Sequence, residues 1–241
     1  MERIDAAAIA NKDFNPAIWG AIEKGAKEIT ISNVHSMHYV LEGTDEPVKV
    51  TIEDSTGMYT CSYLENAEVR VKGNVGWYAG DNMVSGKLII EKNTGCNVGT
   101  YIAGGDIVVY GSTGTRVGYG MKGGHIIIGG DAERWAGQMA MGGELIVLGK
   151  IGLGAGESMY EGKIFTRDPD AKNKLGGNVV YSEITSEEAA ELDALFAEYG
   201  LDAEGGQFHV IRPILDASGK HKYTLFSPVL EPEKAAKKRG V

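Results

Sequence analysis

Residues 117–149 read VGYGMKGGHIIIGGDAERWAGQMAMGGELIVLG. Gly118 and Gly137 stand 19 residues apart within it, as do Gly124 and Gly143. Ile126 and Leu145, and Ile128 and Val147, keep the same step. Extended outward the interval persists, through Gly86, Gly105, Gly124, Gly143 and Gly162, and through Gly80, Gly99, Gly118, Gly137 and Gly156. A third series, Gly57, Gly76, Gly95 and Gly114, reads Glu133 and then resumes at Gly152. Apolar columns run in register between the glycines. One is Val50, Val69, Leu88, Ile107, Ile126, Leu145, Ile164; another is Ile52, Val71, Ile90, Val109, Ile128, Val147, Thr166. Two more pass through Leu64, Met83, Ile102, Met121, Ala140 and Met159, and through Ala79, Val98, Val117, Ala136 and Ala155.

A unit of 19 residues is too short for a helix pair and fits one coil of a β-solenoid, with short strands joined at tight glycine corners. Stacked coils pair as parallel strands ~4.8 Å apart, so seven coils over roughly residues 48–166 rise about 34 Å. Residues two apart on a strand share a side, which sends Leu88 and Ile90 inward and the residue between them outward. That outward column reads Thr51, Arg70, Ile89, Val108, Ile127, Ile146, Phe165. It starts polar and turns apolar for five coils, a longer bare stripe than soluble monomers usually carry. Either a partner protein or the chain's own terminal segments must cover it, and Ile89, Val108, Ile127, Ile146 and Phe165 are candidate interface residues.

The flanks lack the period and suit the role of caps, which solenoid ends need. Residues 1–47 form an N-terminal cap: Asn15-Pro16 predicts a helix with Asn15 as N-cap and Pro16 at its first position, and EITISNV a strand. The β-helix is assigned to 48–180 and a C-terminal cap to 181–241. There Thr185 and Glu188 have capping-box spacing, Ala189, Leu192, Leu195, Phe196 and Tyr199 share a helical face, and Gly200 stands at the C-cap. FHVIRPIL and KYTLFSPVL read as short strands, and EPEKAAKKRG as a charged, mobile tail.

Composition agrees. Of 35 glycines in 241 residues, 26 lie between Gly73 and Gly177, whereas prolines number only 6, which excludes collagen and Pro/Gly linkers. A net charge of −9 tells against a polynucleotide binder. Two cysteines, no signal-like start and no long apolar run point to a cytoplasmic chain without a membrane span.

Sites of chemistry are scarce. Gly118-Tyr119-Gly120-Met121-Lys122-Gly123 matches GxGxxG, but a strand follows where the dinucleotide fingerprint requires a helix. Gly80 to Gly86-Lys87 lacks P-loop spacing. His35 and His38 have no third ligand near in sequence and read as a loop entering the solenoid. Cys61 and Cys96 sit two coils apart, too far for a disulfide; Cys61 occupies a corner-glycine column and reads as packing. Lys87, Asp106, His125, Glu144 and Lys163 share a column and read as a self-compensating charge ladder rather than a catalytic acid pair. Arg116, Arg134, Trp135, Tyr78 and Trp77 fall on an outward second strand, and their composition is that of an interface.

Gly152-Leu153-Gly154-Ala155-Gly156 is a literal GXGXG. With the register of 117–149, it resembles the GXGXG family, the right-handed parallel β-helix at the C-terminal end of the glutamate synthase large subunit. The resemblance extends over nearly all the chain. It implies a domain without catalytic, cofactor-binding or metal-binding residues of its own. In glutamate synthase that domain sits between a glutamine amidotransferase domain and an FMN-binding synthase barrel. A separate β-helix of this kind resembles the split enzymes, archaeal-type glutamate synthase and N-methylglutamate synthase, and also the C subunit of formylmethanofuran dehydrogenase. The implied partners are an amidotransferase-type subunit and a synthase subunit carrying FMN and an iron–sulfur cluster. The alternative from another class is a standalone β-helix enzyme or glycan-binding module, which would be a monomer with its own acidic or aromatic groove.

Overall fold

The computed structural model of the chain describes residues 2–215, so KYTLFSPVL and the charged tail lie outside the described residues. The chain is a parallel β-helix. Strands β1 (Glu2–Asp5), β2 (Glu28–Ser32), β3 (Lys49–Ile52), β4 (Glu68–Val71), β5 (Lys87–Ile90), β6 (Asp106–Val109), β7 (His125–Ile128), β8 (Met141–Val147) and β9 (Glu161–Thr166) stack in sequence order. From β3 to β9 identical columns pair: Val50 faces Val69, which faces Leu88, and so on to Ile164. The inward columns are fully buried, as are the column from Leu64 to Met159 and the column of small residues from Ala79 to Ala155.

The stack starts two strands earlier than the 19-residue period indicates, with β1 on β2 (Glu2 opposite Ile29) and β2 on β3. Ile29 pairs in parallel with Val50, a step of 50 − 29 = 21 residues, so the two extra residues hide this coil from the repeat. Helix α1 (Asn11–Glu23) buries Phe14, Ile18 and Ala21 against the inner core. Its start corrects the expected cap. Ala10 precedes the first turn with no side-chain bond, and Pro16 lies inside the helix. Asn15 instead bridges to the first coil: its Nδ2 donates to the Tyr39 carbonyl (2.6 Å) and its Oδ1 accepts from the Leu41 amide (3.0 Å).

The far end closes with antiparallel strands. After β10 (Val179–Glu183) and helix α2 (Ser186–Tyr199), β11 (His209–Pro213) pairs with both β9 and β10. Helix α2 has the expected capping box, with Thr185 accepting from the Glu188 amide and Glu188 returning to the Thr185 amide, and ends at Gly200 in the left-handed region.

Helix α2 does not cap the end of the stack; it lies along the sheet. Leu192, Phe196 and Tyr199 join Phe208 and Val210 over Ile89, Val108, Ile127, Ile146 and Phe165, which are 0–4% exposed. These five residues therefore face this chain's own C-terminal segments and are not a partner interface. Lengths explain the match. Fourteen helical residues span about 21 Å at ~1.5 Å each. The four steps from β5 to β9 span about 19 Å at ~4.8 Å each. Thr51 and Arg70, further back in the column, lie beyond the helix and stay polar and partly exposed.

Candidate functional site

Two groups of polar and aromatic side chains stand out, on different sides of the solenoid. The first is the charge column beside α2, which runs Lys49, Glu68, Lys87, Asp106, His125, Glu144, Lys163 in strand register. His125 Nδ1 lies 2.8 Å from Asp106 Oδ1, and Lys163 Nζ 3.2 Å from Glu144 Oε1. Helix α2 adds a second rank. Tyr199 donates to Asp106 Oδ2 at 2.5 Å, Lys87 pairs with Glu198, and Lys163 and Arg212 both reach Glu188, each at 3.2 Å. Tyr110 closes the rank by donating to the Tyr199 carbonyl at 2.7 Å.

Titration follows from these contacts. Burial pushes the Asp106 carboxyl up, but hydrogen bonds from His125 and Tyr199 outweigh it and leave it lowered. The Asp106 bond holds His125 above its usual range against partial burial. Burial, then the Asp106 bond, drives the Tyr199 phenol far up. Each charge thus faces an opposite one, as expected of a ladder, and the groups bind α2 to the sheet. No group of three His, Cys, Asp or Glu among the described residues is arranged to hold a metal ion. Cys61 is fully buried, with burial alone raising its thiol far above the usual range, so it is inert packing. His38 accepts from the Met58 amide at 2.9 Å and anchors its loop to the next coil.

The second group lies on the opposite part of each coil. The expected second strand is instead an irregular segment in which alternate residues are left-handed. In one coil these are Asn97 (φ 62°), Gly99 (63°) and Tyr101 (54°). Their amides bond along the stack in both directions: Asn97 and Tyr101 donate to Thr115 and Tyr119 of the next coil, Gly99 to Ala79 of the previous one. The middle position is buried and is glycine from Gly80 onward, with Cys61 before it. The first position points out and reads Tyr59, Tyr78, Asn97, Arg116, Trp135, all at φ 58–62°. Non-glycine residues held there carry backbone strain of about 1–3 kcal/mol each.

These side chains form a ladder of planar groups. Tyr39 stacks on Tyr59 at 5.3 Å between centroids, and Tyr59 on Tyr78 at 4.8 Å with rings 5° apart. Arg116 lies 4.4 Å over the Trp135 ring, and Arg134 5.7 Å from it. The structure therefore brings Arg116, Arg134 and Trp135 together, and joins Tyr78 to a tyrosine stack that the sequence reading did not single out. Trp77, Tyr63 and Leu153 flank the ladder at 51–54% exposure. Trp135 leans over Gly154, where a Cβ would come within 2.6 Å of its ring. No described segment of the chain crosses this face as α2 crosses the sheet.

No protein-family model matches the chain, and no curated protein is significantly similar to it.

Proposed function

We propose that this chain is a non-catalytic structural subunit of a cytoplasmic, glutamate-synthase-like flavoenzyme complex. In this reading it links a glutamine-amidotransferase-type subunit to a synthase subunit that carries FMN and an iron–sulfur cluster. The favoured complex is N-methylglutamate synthase, which makes N-methylglutamate from glutamate and methylamine; split glutamate synthase is second and the formylmethanofuran dehydrogenase C subunit third. The GXGXG resemblance supplies the identity of the complex, and likeness of fold is an analogy for function.

The observation that carries the subunit role is the outward left-handed column. Five successive coils hold Tyr, Tyr, Asn, Arg and Trp where glycine relieves strain, and all five side chains stay partly exposed. Strain retained at a partly exposed, arginine- and aromatic-rich face supports recognition rather than folding. The strand side, by contrast, has its polar groups in mutual ion pairs, which supports a structural role there.

Gentle native purification with mass identification and an absorbance spectrum tests the proposal. Co-elution with an amidotransferase-like chain and a yellow flavoprotein is expected, after which glutamate-plus-methylamine turnover separates the first complex from the second. A colourless monomer overturns the proposal and favours a standalone module.

A further inference from the structure

The ladder of planar groups has one gap. Its column reads Tyr39, Tyr59, Tyr78, Asn97, Arg116, Trp135, and every position except Asn97 presents a flat π or guanidinium surface. Tyr78 stacks one ring face on Tyr59, and Asn97 is the next residue of its column and lines the same cleft. Arg116 has one guanidinium face on Trp135, and its Nε donates to Gln138 at 3.0 Å, which fixes its plane. Tyr78 and Arg116 are two coils apart, about 9.6 Å at the ~4.8 Å step of the stack. Two stacking contacts of the kind seen between Tyr59 and Tyr78, at 4.8 Å each, fill that distance with one ring. The gap is open: Tyr78, Asn97, Thr100, Tyr101, Arg116 and Tyr119 line a cleft of about 480 Å³.

The floor specifies the ring. Thr100 turns its hydroxyl to the Asn97 carbonyl at 2.8 Å, and Tyr119 donates to Met139 Sδ at 3.3 Å, so both are engaged. The Asn97 carboxamide makes no hydrogen bond to a described residue, and it brings a carbonyl acceptor and an amide NH2 donor to the lining of the slot. An indole N–H meets only its carbonyl, and a single phenol hydroxyl cannot bond both groups side by side. An adenine edge, with its N6 donor beside its N7 acceptor, matches a carboxamide in two bonds. Tyrosine and arginine planes are the surfaces on which such bases stack. The net charge of −9 disfavours phosphate-rich ligands and the slot has room for one ring, so the ligand class is a single purine base or nucleoside. The geometry points to a purine-binding slot at Asn97, between Tyr78 and Arg116, separate from the GxGxxG run at Gly118 and independent of the subunit role proposed above.

The test is an NMR titration of the full-length chain with adenosine, with indole as the comparison probe. Saturable adenosine binding that shifts the Asn97 carboxamide and Arg116 Nε–H signals is expected, with indole at least about tenfold weaker. Asn97→Tyr places in the gap a residue that the same column already holds at the same φ in Tyr59 and Tyr78. It should complete the ladder, raise Tm and weaken adenosine at least about tenfold, and Asn97→Ala should weaken it by a similar factor through loss of the paired bonds. Absent adenosine binding, indole binding of equal strength, or undiminished binding in both variants overturns the proposal. Because the titration uses this chain alone, its failure is distinct from a failure to find partner subunits.

Discussion

The two long sides of this solenoid solve the same problem differently. The strand side carries four aliphatic residues and Phe165 outward over five coils and covers them with 14 residues of the chain's own helix. The left-handed side repeats tyrosine, arginine and tryptophan outward, and no described segment covers them. Aliphatic side chains have no use for water and must find cover, whereas aromatic and guanidinium groups stack on one another and stay tolerably hydrated. The contrast teaches that exposure alone does not mark an interface. A bare apolar stripe in the sequence was the stronger hydrophobic signal, yet it belongs to the fold, and the amphipathic column is the side that stays partly open to water.

If this division holds, damage to the two sides should differ in kind. The largest effect is expected from Ile127→Asp, which buries an unpaired charge beneath α2 and should destabilise the chain by at least about 4 kcal/mol in urea unfolding. Phe196→Ala removes the helix's central aromatic and should cost about 3 kcal/mol, with limited proteolysis now cutting within 186–199. Thr185→Ala breaks the capping box that starts the strap, for a loss of about 1 kcal/mol in the same unfolding assay.

The charge ladder gives a pH signature to the covered side alone. His125 is held raised by Asp106, so its contribution is fully present below its ordinary 6.5 and fades as pH climbs through the raised value. Asp106 is lowered, so its contribution is fully present above its ordinary 3.8 and fades as pH falls through the lowered value. Both act together between 3.8 and 6.5. A Tm profile should peak there, and His125→Gln should flatten its alkaline limb, with no change in that limb counting against the ladder. On the open side, Trp77→Ala or Arg134→Ala should shift stability by no more than about 0.5 kcal/mol while reducing co-purification of partners. Loss of folding in either variant would erase the distinction drawn between the sides.

Much of this was legible in the sequence because period and chemistry coincide. Seven aligned valines, leucines and isoleucines dictate inward columns, and Lys87, Asp106, His125, Glu144 and Lys163 announce their own pairing. What covers Ile127 was not legible, since periodicity says which residues need cover but not which segment 60 or more residues onward supplies it. Tyr199 reaching Asp106 across 93 positions is of the same kind. The left-handed segment was hidden by Tyr59, Tyr78, Arg116 and Trp135, side chains that argue for strand when glycine would have argued for turn. Asn15 misled because the same carboxamide that caps a helix can equally close a loop, here at Tyr39 and Leu41.

The strap also sets an order of events during synthesis. Solenoid coils stack on their immediate predecessors and can form as the chain is made, but the segments that cover them come after the coils. Phe165 leaves the ribosome 43 residues before Phe208 (208 − 165), an interval of roughly 2–9 s at ~5–20 residues per second. Throughout it, five coils display an apolar row on a sheet whose last strand is still an open edge. The nascent chain is therefore at its most adhesive after Phe165 is made and before α2 and β11 follow, and the 30 residues from Ser186 to Leu215 act as a self-supplied chaperone.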